Sequence, residues 1–199
     1  LRVVAQDDSV IEANEIAPAL QEYGLIRILD HFAIENAVFE LMRSPVISLS
    51  VNVAQTTLVA QDWQEYLLRK LKQCPELGKR LVVEITETGP KKSNEDLADV
   101  IQKFKNYGVR FALDDFGSGN ANLSDLLSLG IDIIKIDKSF LAHKSDEKGR
   151  GVIEFLSQLA DNIGVLTIGE GVETQEHLST FNMYGVQNIQ GYLFGQPSL

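Results

Sequence analysis

Two adjacent acids, Asp114 and Asp115, close the apolar run in Phe111–Asn120 (FALDDFGSGN). The run suits a buried strand. Its closing carboxylates do not, because paired buried acids repel and each is costly to desolvate. A nearby divalent cation would relieve both costs. Gly117 and Gly119 let the backbone turn sharply beside them. Similar polar residues sit at or just past the ends of other apolar runs: Asn52, Glu84, Lys135, Glu170 and Gln190. Asn52, Glu84, Asp114 and Asp115 are hard oxygen donors, suited to Mg²⁺ or Mn²⁺ and not to Zn²⁺. Two such ions would form a clamp for in-line attack on a phosphodiester. Lys135 would hold a water or balance anionic charge, and Glu170 could accept a proton from that water. Each residue alone also has a simpler reading. Asn or Glu at a strand end can be a cap or a solvated loop residue, Lys135 can be the counter-ion of Asp137, and the glycines can merely turn the chain. Spacing alone leaves the two readings level.

The elements that would position these residues alternate along the chain. Val46–Val53, Leu81–Thr86, Val109–Asp114, Ile131–Ile136, Val165–Ile168 and Val186–Ile189 read as strands, apolar on consecutive positions and so covered on both faces of a parallel sheet. Between them, Asp62–Gln73, Asn94–Tyr107, Leu123–Leu129, Gly149–Ile163 and Gln175–Tyr184 read as helices, with Ser93 and Thr174 as start signals. Gly108, Gly130, Gly164 and Gly185 each end a helical run just before a strand. Upstream, Asn14–Tyr23 and Leu25–Met42 read as helices separated by Gly24, and residues 1–5 as the end of a strand. Polar residues at six strand ends point to a ring of strands, as in a β/α barrel, rather than to an open doubly wound sheet.

Composition narrows the function. The 199 residues suffice for one domain with a core. A net charge of −10 argues against sequence-independent binding to DNA or RNA, though not against a small anionic ligand. Cys74 is the sole cysteine, so an internal disulfide and a cysteine zinc site are both excluded, which fits a reducing, cytoplasmic setting. No apolar run reaches the length of a membrane span.

Seven segments in order carry a resemblance: YGLIR from Tyr23, SVNV from Ser50, EITE from Glu84, LDDFGSG from Leu113, KID from Lys135, GEGVET from Gly169 and QGYLF from Gln190. Through them the chain resembles the EAL domain, a bacterial cyclic-di-GMP phosphodiesterase module, from Leu1 to Pro197. The resemblance implies a single domain over residues 1–199, incomplete at its N-terminus. It implies a TIM-like (β/α) barrel whose first strand and part of the second are missing from the given chain. It also implies two Mg²⁺ or Mn²⁺ ions and hydrolysis of cyclic di-GMP to linear pGpG. By position, Asn52, Glu84, Asp114 and Asp115 are similar to the family's metal ligands, and Asp137 to a third acid near the metals. Lys135 and Glu170 match the water-handling pair. Gln190 matches a residue that supports water or ligand, and Arg2 one that pairs with a substrate phosphate. Glu87 and Glu173 match groups behind the ligands, with Glu87 steadying the loop after Asp115.

Three departures accompany the resemblance. The Glu-Ala-Leu triplet that names the family, whose Glu is a metal ligand, would lie directly before Leu1. The loop Ser118–Asn122 lacks the aromatic and hydroxyl residues common there. Ala54 stands where Ser often follows the Asn-Val pair. These departures keep open an alternative, an EAL-like receptor that binds the dinucleotide without cutting it. The resemblance further implies sensor, receiver or GGDEF modules on the full-length polypeptide, through which it could be membrane-anchored, and homodimerisation through helices next to the Asp-pair loop.

Overall fold

The computed structural model of the chain describes residues 2–4, 10–12, 16, 19–20, 22–86, 94–117, 123–142, 147–186 and 188–196. It divides into two units, Leu1–Arg110 and Phe111–Leu199.

In the first unit, β1 (Arg2–Val4) pairs antiparallel with β2 (Val10–Glu12). The sequence reading places a strand end at residues 1–5 but misses its short partner. Ile16, Ala19, Leu20 and Glu22 are helical, inside the expected first helix. The helix α1 (Ile26–Arg43) buries Asp30, Ile34, Ala37, Val38 and Leu41, one stripe at helical spacing. It is followed by β3 (Leu49–Ala54), the short α2 (Gln55–Leu58) and α3 (Gln61–Gln73). A 3₁₀ segment, Pro75–Arg80, leads into β4 (Leu81–Thr86), which has the expected limits. Then comes α4 (Asn94–Lys105). The buried stripe of α3 is Trp63, Leu67 and Leu71, and that of α4 is Leu97, Ile101 and Phe104. Trp63 and Phe104 meet edge-on with ring centroids 5.6 Å apart, a favoured aromatic geometry. The pair β3–β4 is parallel and in register, with Asn52 opposite Glu84.

The strand β3 starts three residues later than the apolar pattern suggests, and Arg80 gives the reason. Its guanidinium donates to the carbonyls of Leu41 (2.8 Å), Ser44 (2.7 Å) and Ile47 (3.2 Å). Those bonds complete the end of α1 and hold the chain before β3, so Val46 is left exposed. We expect Arg80→Met, which keeps the aliphatic stem, to lower unfolding stability by about 2–3 kcal/mol, because part-buried carbonyls lose a charged donor. A urea midpoint unchanged from wild type would refute this role.

The second unit holds β5 (from Arg110 to Phe116), α5 (Leu123–Ser128), β6 (Ile133–Ile136), α6 (Ser139–Ala142), α7 (Glu147–Ile163), β7 (Leu166–Gly169), α8 (Gln175–Met183) and β8 (Asn188–Ile189). These strands run in parallel in the order β5–β6–β7–β8. All four residues of β6 are buried, as expected of a strand covered on both faces.

Three strands begin one or two residues later than their apolar runs, for a common reason. Val109, Val165 and Val186 each donate their N–H back into the preceding helix, to Phe104, Ala160 and Phe181. The intervening Gly108, Gly164 and Gly185 have φ of +86°, +72° and +84°, which a Cβ disfavours. The first valine after each glycine therefore closes a helix before the chain can join a sheet. Thr174 caps α8 as expected: its Oγ1 accepts from the His177 N–H at 3.2 Å, and His177 Nδ1 accepts from the Glu173 N–H at 3.3 Å. Ser93, the other start signal, lies outside the described residues.

Candidate active site

In a regular strand, adjacent side chains point to opposite faces. Asp114 and Asp115 escape that rule. Along β5 and β6 the register runs Ala112–Ile133, Leu113–Ile134, then Phe116–Ile136, so β5 carries one extra residue, a β-bulge. Asp115 has φ +50°, the one non-glycine residue in the left-handed region among those described. Aspartate tolerates this conformation better than most residues, but it is still uncommon and is concentrated at functional sites. The bulge lets two consecutive carboxylates serve one place. Single carboxylate oxygens of Asp114, Asp115 and Glu170 lie within 4.8 Å of one another.

Lys135 joins this cluster from the next-to-last position of buried β6 and is only 3% exposed. A buried ammonium must be paired. Its Nζ lies 2.8 Å from Asp114 Oδ1 and 2.6 Å from Glu170 Oε1. Gln190 Nε2 donates to the same Glu170 oxygen at 2.6 Å. Backbone bonds set Glu170 and Gln190 side by side. Glu170 N donates to Ile136 O, Gln190 N to Gly169 O, Val172 N to Gln190 O and Leu193 N to Val172 O. A Cβ on Gly191 would stand 2.2 Å from the Val172 backbone N and O, so no side chain fits at that crossing.

Asp137, just past β6, accepts from the Ser139 N–H at 2.8 Å. Burial first, then the charges of Asp114 and Asp137, push the Asp115 carboxyl above the ordinary range, against the pull of Lys135. The Asp115–Asp137 hydrogen bond acts in the same direction, since two carboxyls can share a bond only by sharing a proton. Repulsion of this kind is what a bound cation would relieve. The all-oxygen donor set fits a hard divalent ion.

A cavity of about 830 Å³ opens beside this cluster, lined among others by Asp137, Lys138, Glu170, Glu173, Gln190 and Tyr192. Glu173 is exposed and faces Lys138 at 3.5 Å. Lys138 is a lining residue that the sequence reading did not single out, because a lone lysine after a strand carries no distinguishing pattern. Tyr192 and Phe194 also line the cavity, 51% and 61% exposed. Asp132, just before β6, ties strands together at their N-terminal ends: its Oδ2 accepts from the Phe111 N–H at 2.8 Å.

In the first unit, Asn52 and Glu84 sit in register on adjacent strands. Asn52 is exposed and Glu84 is 5% exposed. Arg2 lies in β1. Glu87 and the loop 118–122 lie outside the described residues.

Parallel strands alternating with helices, with acids, a lysine and amides at the strands' C-terminal ends, place the chain in the TIM-like β/α barrel class. More narrowly, it belongs to the EAL domain family, whose model matches residues 1–197. It is 30% identical over 192 residues to the cyclic di-GMP phosphodiesterase PdeA of Borreliella burgdorferi, covering 94% of this chain and 29% of that protein. It is 30% identical over 196 residues to the cyclic di-GMP phosphodiesterase PdeL of Escherichia coli K12, covering 94% of this chain and 54% of that protein. The chain thus spans about a quarter to a half of these relatives. An EAL domain protein from Listeria monocytogenes EGD-e has a similar solved structure, with a TM-score of 0.87 and 27% identity over 98% of this chain and 78% of that one. Among the described residues, no helix is long and apolar enough to cross a membrane.

Proposed function

We propose that this chain is the metal-dependent phosphodiesterase part of a signalling protein, and that it hydrolyses cyclic di-GMP to linear pGpG. Support comes above all from the bulge at Asp114–Asp115, which turns two neighbouring carboxylates toward Glu170. The family and the 30%-identical phosphodiesterase relatives add to it. On this reading Asn52, Glu84, Asp114, Asp115 and Asp137 are the oxygen donors for Mg²⁺ or Mn²⁺. Bound ions would supply Lewis acidity and ease deprotonation of water. Glu170 takes the proton of the attacking water. Lys135, between Asp114 and Glu170, holds the Glu170 carboxylate in place. Gln190 fixes the same oxygen from the other side. Water adds at one phosphorus, one P–O ester bond breaks and the released ribose oxygen takes up a proton, which opens the ring into a linear dinucleotide with a terminal phosphate and a free hydroxyl. Arg2 pairs with a substrate phosphate, a role suited to a guanidinium, while Glu87 and Glu173 stand behind the ligands. The same reading takes residues 1–199 as one domain that works in the cytoplasm and as a homodimer. Sensor or GGDEF modules would share its full-length polypeptide.

Incubation with cyclic di-GMP and Mn²⁺, followed by chromatography, should show pGpG accumulating, and EDTA should stop it. Tight, metal-independent binding without turnover would replace this reading with that of a receptor.

A further inference from the structure

We infer that Asp30, a residue on α1 with no part in the reaction assigned above, is the positioning residue for Asn52. This rests on the reading of Asn52 as a metal ligand.

Asp30 occupies the core stripe of α1, where its neighbours are Ile34, Ala37, Val38 and Leu41, and is 5% exposed. An aliphatic residue there would avoid the desolvation of a carboxyl. Asp30 Oδ2 instead accepts from the Ala54 backbone N–H at 3.1 Å, across 24 residues of sequence. Ala54 is the last residue of β3, two beyond Asn52, and also the residue that starts α2. It has no side-chain oxygen, and nothing in its own segment caps the turn. In a self-contained capping arrangement, the third helical residue reaches back to that N–H. Here that residue is Thr57, fully buried, and its Oγ1 makes no well-formed hydrogen bond of its own. Burial pushes the Asp30 carboxyl above its ordinary range, against the pull of the adjacent Thr57 hydroxyl and the Ala54 N–H. Among the described residues of its unit, β3 pairs with one strand, β4. The Asp30 bond is therefore a second tether on the segment that carries Asn52.

A neutral amide is a weaker ligand than a carboxylate, so Asn52 depends on placement. Partners that orient ligands typically matter by about 10–100-fold in metal affinity.

The test is calorimetric titration of Mn²⁺ alone into the chain and three variants, well below their melting temperatures. Asp30→Ala removes the acceptor and should raise the Mn²⁺ dissociation constant by about 10-fold. Amide exchange at Ala54 should speed up in the same variant. Asp30→Asn keeps an acceptor for Ala54 and gives the Thr57 hydroxyl a donor, so it should restore near wild-type affinity. Arg80→Met destabilises the same unit before β4 and should leave Mn²⁺ affinity unchanged. Wild-type affinity in Asp30→Ala, or an equal loss in Arg80→Met, overturns the assignment while leaving the phosphodiesterase reading intact. Absence of Mn²⁺ binding to the wild type overturns both.

Discussion

Glu170→Gln is expected to lower kcat for cyclic di-GMP by about 10²–10⁴-fold, the usual contribution of a positioned general base, while nucleotide affinity stays close to wild type. The expectation follows from how many contacts the substitution preserves. One Glu170 oxygen, Oε1, receives both Lys135 Nζ and Gln190 Nε2, each at 2.6 Å. A glutamine carbonyl can accept the same two bonds, and the backbone bond from Glu170 N to Ile136 O is untouched. What disappears is basicity: an amide cannot take a proton from water at neutral pH. The substitution therefore separates proton transfer from architecture. Lys135→Met should act differently. It would leave Asp114 and Glu170 without the cation between them, so ground-state binding and fold stability should fall along with the rate. Stopped-flow turnover and equilibrium nucleotide binding on the two variants distinguish the roles. A Glu170→Gln enzyme with a normal rate would remove Glu170 from the proton-transfer step.

The sequence was legible where one residue's type forces one consequence. Consecutive apolar runs gave strands covered on both faces, and the glycines after helical runs gave the helix stops. Leu81–Thr86 was placed to the residue. The late starts at Arg110, Leu166 and Asn188 were not visible, because Val109, Val165 and Val186 look like strand residues and yet spend their N–H groups on helix ends. Arg80 is a similar case. Nothing in its neighbours announces that its guanidinium holds carbonyls 33 to 39 residues away. Of the clustered side chains, Asp114, Lys135, Glu170 and Gln190 could be named from strand-end polarity. The bulge that makes consecutive acids usable together could not, since no proline or glycine marks Leu113–Phe116. Asp30 stayed hidden for the opposite reason. A charged residue in an apolar helix is visible in sequence, but its acceptor role appears only once the end of β3 lies beside it.

Asp115→Asn should reverse its effect on stability with metal. In EDTA at neutral pH the variant should melt slightly above wild type; Asp115 is only partly desolvated and still reaches solvent, so screening holds the gain to no more than about 2 °C. The sign follows from linkage. Burial and the charges of Asp114 and Asp137 raise the folded-state pKa of Asp115. A carboxyl raised in the folded state favours folding most when protonated. Its contribution is complete below the unfolded value of about 3.9 and is lost as pH rises through the higher folded value. As pH rises that contribution falls away, because desolvation and the neighbouring Asp114 and Asp137 weigh against the charged form of Asp115. Asparagine removes the charge, can still donate to Asp137, and tolerates the φ of +50° that the bulge requires. With Mn²⁺ the order should invert. A ligand that binds only the folded state stabilises it by about 2.7 kcal/mol at one hundred times its dissociation constant. An amide in place of the Asp115 carboxylate forfeits much of that gain, and turnover with it. The repulsion that weakens the metal-free fold is thus the same feature that would hold the metal. Two results would sink this account: a wild type more stable than the variant in EDTA at neutral pH, or equal Mn²⁺-induced rises in melting temperature for both proteins.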